Sequence, residues 1–155
     1  KIWRLFLWVT TLTDKAASFP VAGIVTPDQV KKIVVSETEL ITAKDLAKLR
    51  GSTVAATSSL LRNWKKSRAT LILKYQGLNH CPLYTLNPAN GYKPYPAISE
   101  IISILEQSMG PWQMTFWFMC ATNYLSGKTP REMLALDGEL VIQCAHHEIF
   151  GGLHG

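Results

Sequence analysis

Cysteine and acidic residues are scarce in this chain, and what is missing narrows the function classes sharply. Only Cys81, Cys120 and Cys144 are present. An odd count without close spacing excludes a disulfide framework and fits a reducing cytoplasm. There is no Cys-x-x-Cys and no His-Glu-x-x-His, the spacings that bring zinc ligands together. Cys144, His146, His147 and Glu148 cluster near the end, and His80 adjoins Cys81. Neighbours one or two apart on a helix do not share a face, so we expect no metal site. No serine lies in a Gly-x-Ser-x-Gly setting, so no nucleophile elbow is available. Gly127-Lys128-Thr129 resembles the end of a phosphate-binding loop, but the upstream glycine is missing and a helix, not a strand, precedes it. No catalytic residue and no cofactor are expected.

Long apolar runs are equally absent. Lys1 to Leu12 combines cations with apolar residues as a secretory leader does, but Arg4 interrupts the run. It is too short to span a bilayer. Residues 1–25 are expected to pack on the domain or on a second subunit. With 47% apolar and 17% charged residues, the chain reads as globular, with no membrane partner.

What is present is uneven. Residues 1–76 hold 13 Lys and Arg against 5 Asp and Glu, a net of +8; residues 77–155 hold 3 against 6, a net of −3. The two recover the overall +5. A basic half beside a mildly acidic one points to a polyanion-binding module followed by something else.

The basic half holds the most informative segment, Ile41 to Lys66. Thr42 can cap a first helix carrying Leu46, Ala47 and Leu49, because its side-chain oxygen satisfies orphan amides. Gly51 suits a sharp turn at positive φ. Ser52 or Thr53 then caps a second helix with Val54, Thr57, Leu61 and Trp64 on one face. The other face presents Thr53, Ala56, Ser59, Asn63 and Lys66, flanked by Arg62 and Lys65. Small polar residues backed by cations are what a helix needs to enter a major groove. Arg50 and Thr57 occupy positions that are usually apolar in helix-turn-helix pairs.

Thr26-Pro27-Asp28 opens an earlier helix through Val35. After the basic helix, Ala69–Tyr75 and Cys81–Leu86 read as strands around a turn at 76–80. They describe a β-wing with Lys74, Gln76, Asn79 and His80 near its tip. The expected DNA contacts are Ser52, Thr53, Ala56, Ser59, Arg62, Asn63, Lys65, Lys66, Arg68 and Lys74.

Asn87 to Pro96 reads as a linker rich in Pro, Asn and Gly. Beyond it, Ile98, Ile101, Ile102 and Leu105 mark an amphipathic helix. A second, over 111–125, is apolar nearly all round. Its aromatics Trp112, Phe116, Trp117 and Phe118 suit a core better than a base-stacking platform. A stripe of Trp112, Phe116 and Met119 suggests a homodimer interface. Gly127 is expected at positive φ, with Thr129 as a cap, Pro130 opening a helix and Gly138 closing it; a last helix then runs to about Phe150.

Trp117 to Asn123, followed by Leu125-Ser126-Gly127-Lys128-Thr129-Pro130-Arg131-Glu132-Met133-Leu134, resembles the toxin-binding domain of Xre/MbcA/ParS-type antitoxins. Those domains carry a tryptophan helix and an "LGG-x-TP-x-E-x-L" core. Ser126 replaces the first glycine, and the resemblance covers residues 97–155. It implies operator binding by an N-terminal helix-turn-helix and docking of the C-terminal domain on a RES-domain toxin that degrades NAD. Trp112, Phe116, Trp117, Met119, Gly127 and Pro130 are the candidate dimer or partner residues.

The expectation is a mainly α chain with a small β-wing: a packing segment (1–25), a winged helix-turn-helix (26–88) and a helical interaction domain (97–155). Its partners would be double-stranded DNA, a second copy, and a toxin or other regulatory protein.

Overall fold

The computed structural model describes residues 25–151; the apolar start expected to pack on the domain or a second subunit lies outside them, Val25 excepted. Helix α1, Pro27–Glu37, begins with a reciprocal capping box between Thr26 and Gln29. Both orphan amides are satisfied there, and Pro27 lacks the N–H that would otherwise need a partner. Strand β1 is Leu40–Ile41. Helix α2, Ala43–Arg50, starts from a second box, in which Thr42 caps and Asp45 answers. It stops at Gly51, which is left-handed at φ +63, a conformation glycine adopts without a Cβ clash. Helix α3, Val54–Ser67, is capped by Thr53, whose oxygen accepts the Ala56 N–H.

The chain then forms an antiparallel sheet ordered β1-β3-β2, with β2 at Leu73–Tyr75 and β3 at Leu78–Pro82. The expected turn over 76–80 and strand over 81–86 are both displaced. The hairpin turns on Gln76 and Gly77 alone, at φ +48 and +80. Two central residues at positive φ match the right-handed twist of the flanking strands, so the connection needs no more. Leu83–Thr85 forms a 3₁₀ turn. The segment read as a linker is a second hairpin, β4 (Leu86–Asn87) against β5 (Lys93–Pro94), so its Pro, Asn and Gly build turns.

Helix α4, Pro96–Leu105, and α5, Pro111–Met119, follow. The helix expected to reach residue 125 ends at Met119, because Cys120 is extended and Thr122 pairs with Lys128 across a tight loop. Helix α6, Pro130–Met133, opens on a Thr129–Glu132 box. Gly138 does not close it: Asp137 accepts the Leu140 N–H and Gly138 is the first residue of α7, Gly138–Phe150. A Cβ on Gly138 would sit 2.9 Å from the Ala97 Cβ, so glycine here permits α7 to approach α4 closely.

The architecture is mainly helical with a small antiparallel sheet. Among the described residues, no helix is long and apolar enough to cross a membrane. Among the described residues, the buried apolar side chains pack mainly in three clusters. Leu46, Leu61, Trp64, Ile72 and Cys81 pack under α2 and α3. Ile98, Ile101, Leu105, Trp117, Phe118 and Val141 lead the cluster of the C-terminal half. The third joins the halves, setting Val30 and Val34 of α1 against Leu73, Phe116, Met119 and Cys120. Thr38, just past α1, donates to the Met119 sulfur at 3.1 Å, and Arg131 donates to the Glu37 carbonyl at 3.0 Å. The stretch between the expected domains is thus folded, and a core spans it.

Two outcomes follow from this packing. Phe116→Ala should cost about 3–5 kcal/mol as a core truncation, the loss being the same at every protein concentration. A destabilisation that grows on dilution would place Phe116 at an interface between copies instead. The Asp45 and Glu132 carboxyls are held below their ordinary values of 3.8 and 4.5 by hydrogen bonds, first from the backbone N–H and then from the hydroxyl of Thr42 and Thr129. A depressed folded-state value stabilises the fold above the ordinary value, and that stability is lost as pH falls through the folded one. Thermal melts of Asp45→Asn with Glu132→Gln should therefore show a flatter pH dependence between about pH 5 and pH 3 than the parent.

Candidate nucleic-acid interface

Helix α3 is anchored through one face and open on the other. Thr57, Leu61 and Trp64 are buried. The Thr57 hydroxyl, polar where an apolar residue is usual, donates to the Thr53 carbonyl at 2.8 Å and so costs little inside. The Arg50 guanidinium lies 5.9 Å from the Trp64 ring centroid, close enough for a cation–π contact. Both departures from the usual helix pattern therefore have a local partner. Val54, expected on the inner face, is half exposed at 50%, and Leu49 of α2 is 43% exposed. As the first residue of α3, Val54 precedes the turn that tucks the helix inward.

All ten expected DNA contacts are exposed. Ser52 and Thr53 sit in the turn; Ala56, Ser59, Arg62, Asn63, Lys65 and Lys66 follow along α3, and Ala55, absent from the expectation, is exposed with them. Arg62 Nη2 donates to the Ser59 hydroxyl at 2.9 Å, which lays its guanidinium along the helix. Cations are confined to the last turns; the first two carry small side chains.

Lys74 lies on β2 opposite Asn79. Side chains alternate along a strand, so Lys74 and Asn79 share the hairpin face of Ile72 and Cys81, which pack with α2 and α3. Leu73, Tyr75, Leu78 and His80 take the other face, toward α1 and α5. There Lys31 of α1 stands 5.1 Å from the Trp112 ring centroid and 6.0 Å from that of Tyr75. Sequence spacing offers no sign that Lys31 would reach the hairpin, because that contact joins residues far apart in the chain. Arg68 differs from the other cations in being paired: its Nε lies 2.8 Å from Glu106 Oε2, at the end of α4.

The reading of this apolar stripe as a free association surface needs correction. Phe116 and Met119 are buried against Val30 and Val34, and Trp117 is buried within the C-terminal cluster. Trp112 is partly buried beneath Lys31. The stripe read as an association surface is already covered by α1 of the same chain. Gly127 does adopt φ +80 and Pro130 is buried.

Burial pushes the Cys81 thiol up to about 11 and the Cys144 thiol to about 12, with Cys120 higher still. They are protonated at neutral pH, and the thiolate is the reactive form. Thr70 and Thr85 enclose Cys81, with Thr70 donating to Thr85 at 2.7 Å and Thr85 to the Pro82 carbonyl at 2.8 Å. His146 stacks on Phe150, and His147 lies against Tyr124. Among the described residues, no three His, Cys, Asp or Glu side chains converge as metal ligands would.

Comparison of the chain with protein-family models, with curated proteins and with solved structures gives no match.

Proposed function

We propose that this chain is a sequence-specific DNA-binding regulator in which α2, α3 and the β2–β3 hairpin form a winged helix-turn-helix. The observation that carries this reading is the exposed face of α3. It sets small and polar side chains in the first two turns and Arg62, Lys65 and Lys66 in the last ones, with Lys74 on the hairpin face that α3 shares. In such an arrangement the early turns meet base edges and the cations meet phosphates. The phosphate contacts supply most of the affinity, because each neutralised phosphate releases counterions. In the early turns, Val54 and Ala56 are suited to thymine methyl groups. A second copy would give two half-sites, held by surfaces other than the buried Phe116 and Met119.

A second reading has the C-terminal half binding a partner protein, such as the RES-type toxin implied by the resemblance around residues 117–134. Leu136, at 73% exposure, is the most exposed large apolar side chain among the described residues and lies in that half.

The triple variant Arg62→Ala, Lys65→Ala, Lys66→Ala tests the first reading. Its melting temperature should match the parent, since exposed substitutions shift stability by only about ±0.5 kcal/mol. On random duplex DNA, the slope of log affinity against log salt should shrink by roughly 0.9 for each phosphate that the variant no longer neutralises. A folded triple variant that binds with the parent's slope places the interface elsewhere.

A further inference from the structure

Arg68 is the C-cap of α3, left-handed at φ 56, with its N–H turned back to the Lys65 carbonyl. The next residue donates to the Trp64 carbonyl at 3.0 Å, and two residues on, Leu71 enters the C-terminal core. Glu106 caps α4, and its N–H donates to Ile102 at 2.8 Å behind the buried Ile102 and Leu105. Both backbones are therefore fixed beside one core, which holds Leu71 as well as Ile102 and Leu105. The side chains they present meet in the open, at 60% and 35% exposure, with the guanidinium Nε 2.8 Å from the carboxylate.

A carboxylate offers a guanidinium the same pair of anionic oxygens as a phosphodiester does. An exposed pair of this kind is weak and exchanges readily for another anion. We propose that Glu106 is an internal competitor for phosphate at Arg68, so that the C-terminal half sets how strongly α3 holds DNA. The inference rests on the proposed DNA-binding function. Arg68 stands at the cationic end of α3, beside Lys65 and Lys66, where the C-terminal end of a recognition helix meets the backbone. While Glu106 is paired with it, one cation of that cluster is neutralised; when DNA takes the guanidinium, the pairing with the C-terminal half is given up.

The test is a salt series of binding to labelled random duplex DNA, read by fluorescence anisotropy, on the full chain. Glu106→Gln should bind several-fold tighter at low salt, with a slope of log affinity against log salt steeper by about 0.9, as for one further phosphate neutralised. Arg68→Gln should abolish that gain in the Glu106→Gln background. Glu100→Gln makes the same change of charge on α4 away from Arg68 and should leave the slope unaltered. The proposal is overturned if Glu106→Gln binds as the parent does, if Glu100→Gln reproduces its gain, or if the gain survives without Arg68. Failure of the parent chain to bind duplex DNA at any salt would instead remove the function on which the inference stands.

Discussion

Three consecutive side chains hold this structure together. Leu71 enters the core of the C-terminal half, Ile72 the core beneath α2 and α3, and Leu73 the cluster shared by α1 and α5. Each is 5% exposed or less. A chain segment buried on every side must satisfy its polar neighbours internally, and Thr70 does so through Thr85 and Cys81. The placement of α3, which ends immediately before this segment, and of the hairpin, which begins within it, both follow from that anchoring.

The anchoring also explains how an exposed helix can be positioned precisely. Only Thr57, Leu61 and Trp64 of α3 are buried, a narrow stripe for a helix presenting its other faces to solvent. The left-handed turn at Arg68 and the descent through Thr70 fix its C-terminal end, while the Gly51 turn and the Thr53 cap fix the other. Charge is distributed to match. The basic face lies over the half that carries most of the cations, and the acidic half touches it at Glu106. Two oppositely charged halves share a core through α1 and α5.

Much of the local structure was legible in the chain because capping and turn chemistry act over three or four residues. Thr26, Thr42, Thr53 and Thr129 all cap helices, and Gly51 and Gly127 stand at positive φ. Gly138 misled for a physical reason: glycine serves equally at a helix end and at a close approach between helices, and Ala97 makes this the second case. The same ambiguity affected 87–96, where turn-forming residues build a hairpin as well as they build a linker. The exposed face of α3 could be read in advance because helical period alone sorts its side chains, although Val54 escapes at the first position.

The sequence by itself determined the helices and their caps, the asymmetry of charge, and the residues that α3 turns outward. Periodicity, propensity and hydrogen-bonding chemistry are local, so they need no knowledge of the rest of the molecule. Which apolar faces meet was decided only by the tertiary structure. The stripe of Phe116 and Met119 is as apolar whether a second copy or α1 covers it, and only the fold brings Val30 and Val34 there. The contacts of Lys31 with Trp112 and of Arg68 with Glu106 are of the same kind. They join residues distant in the chain, and no spacing encodes them.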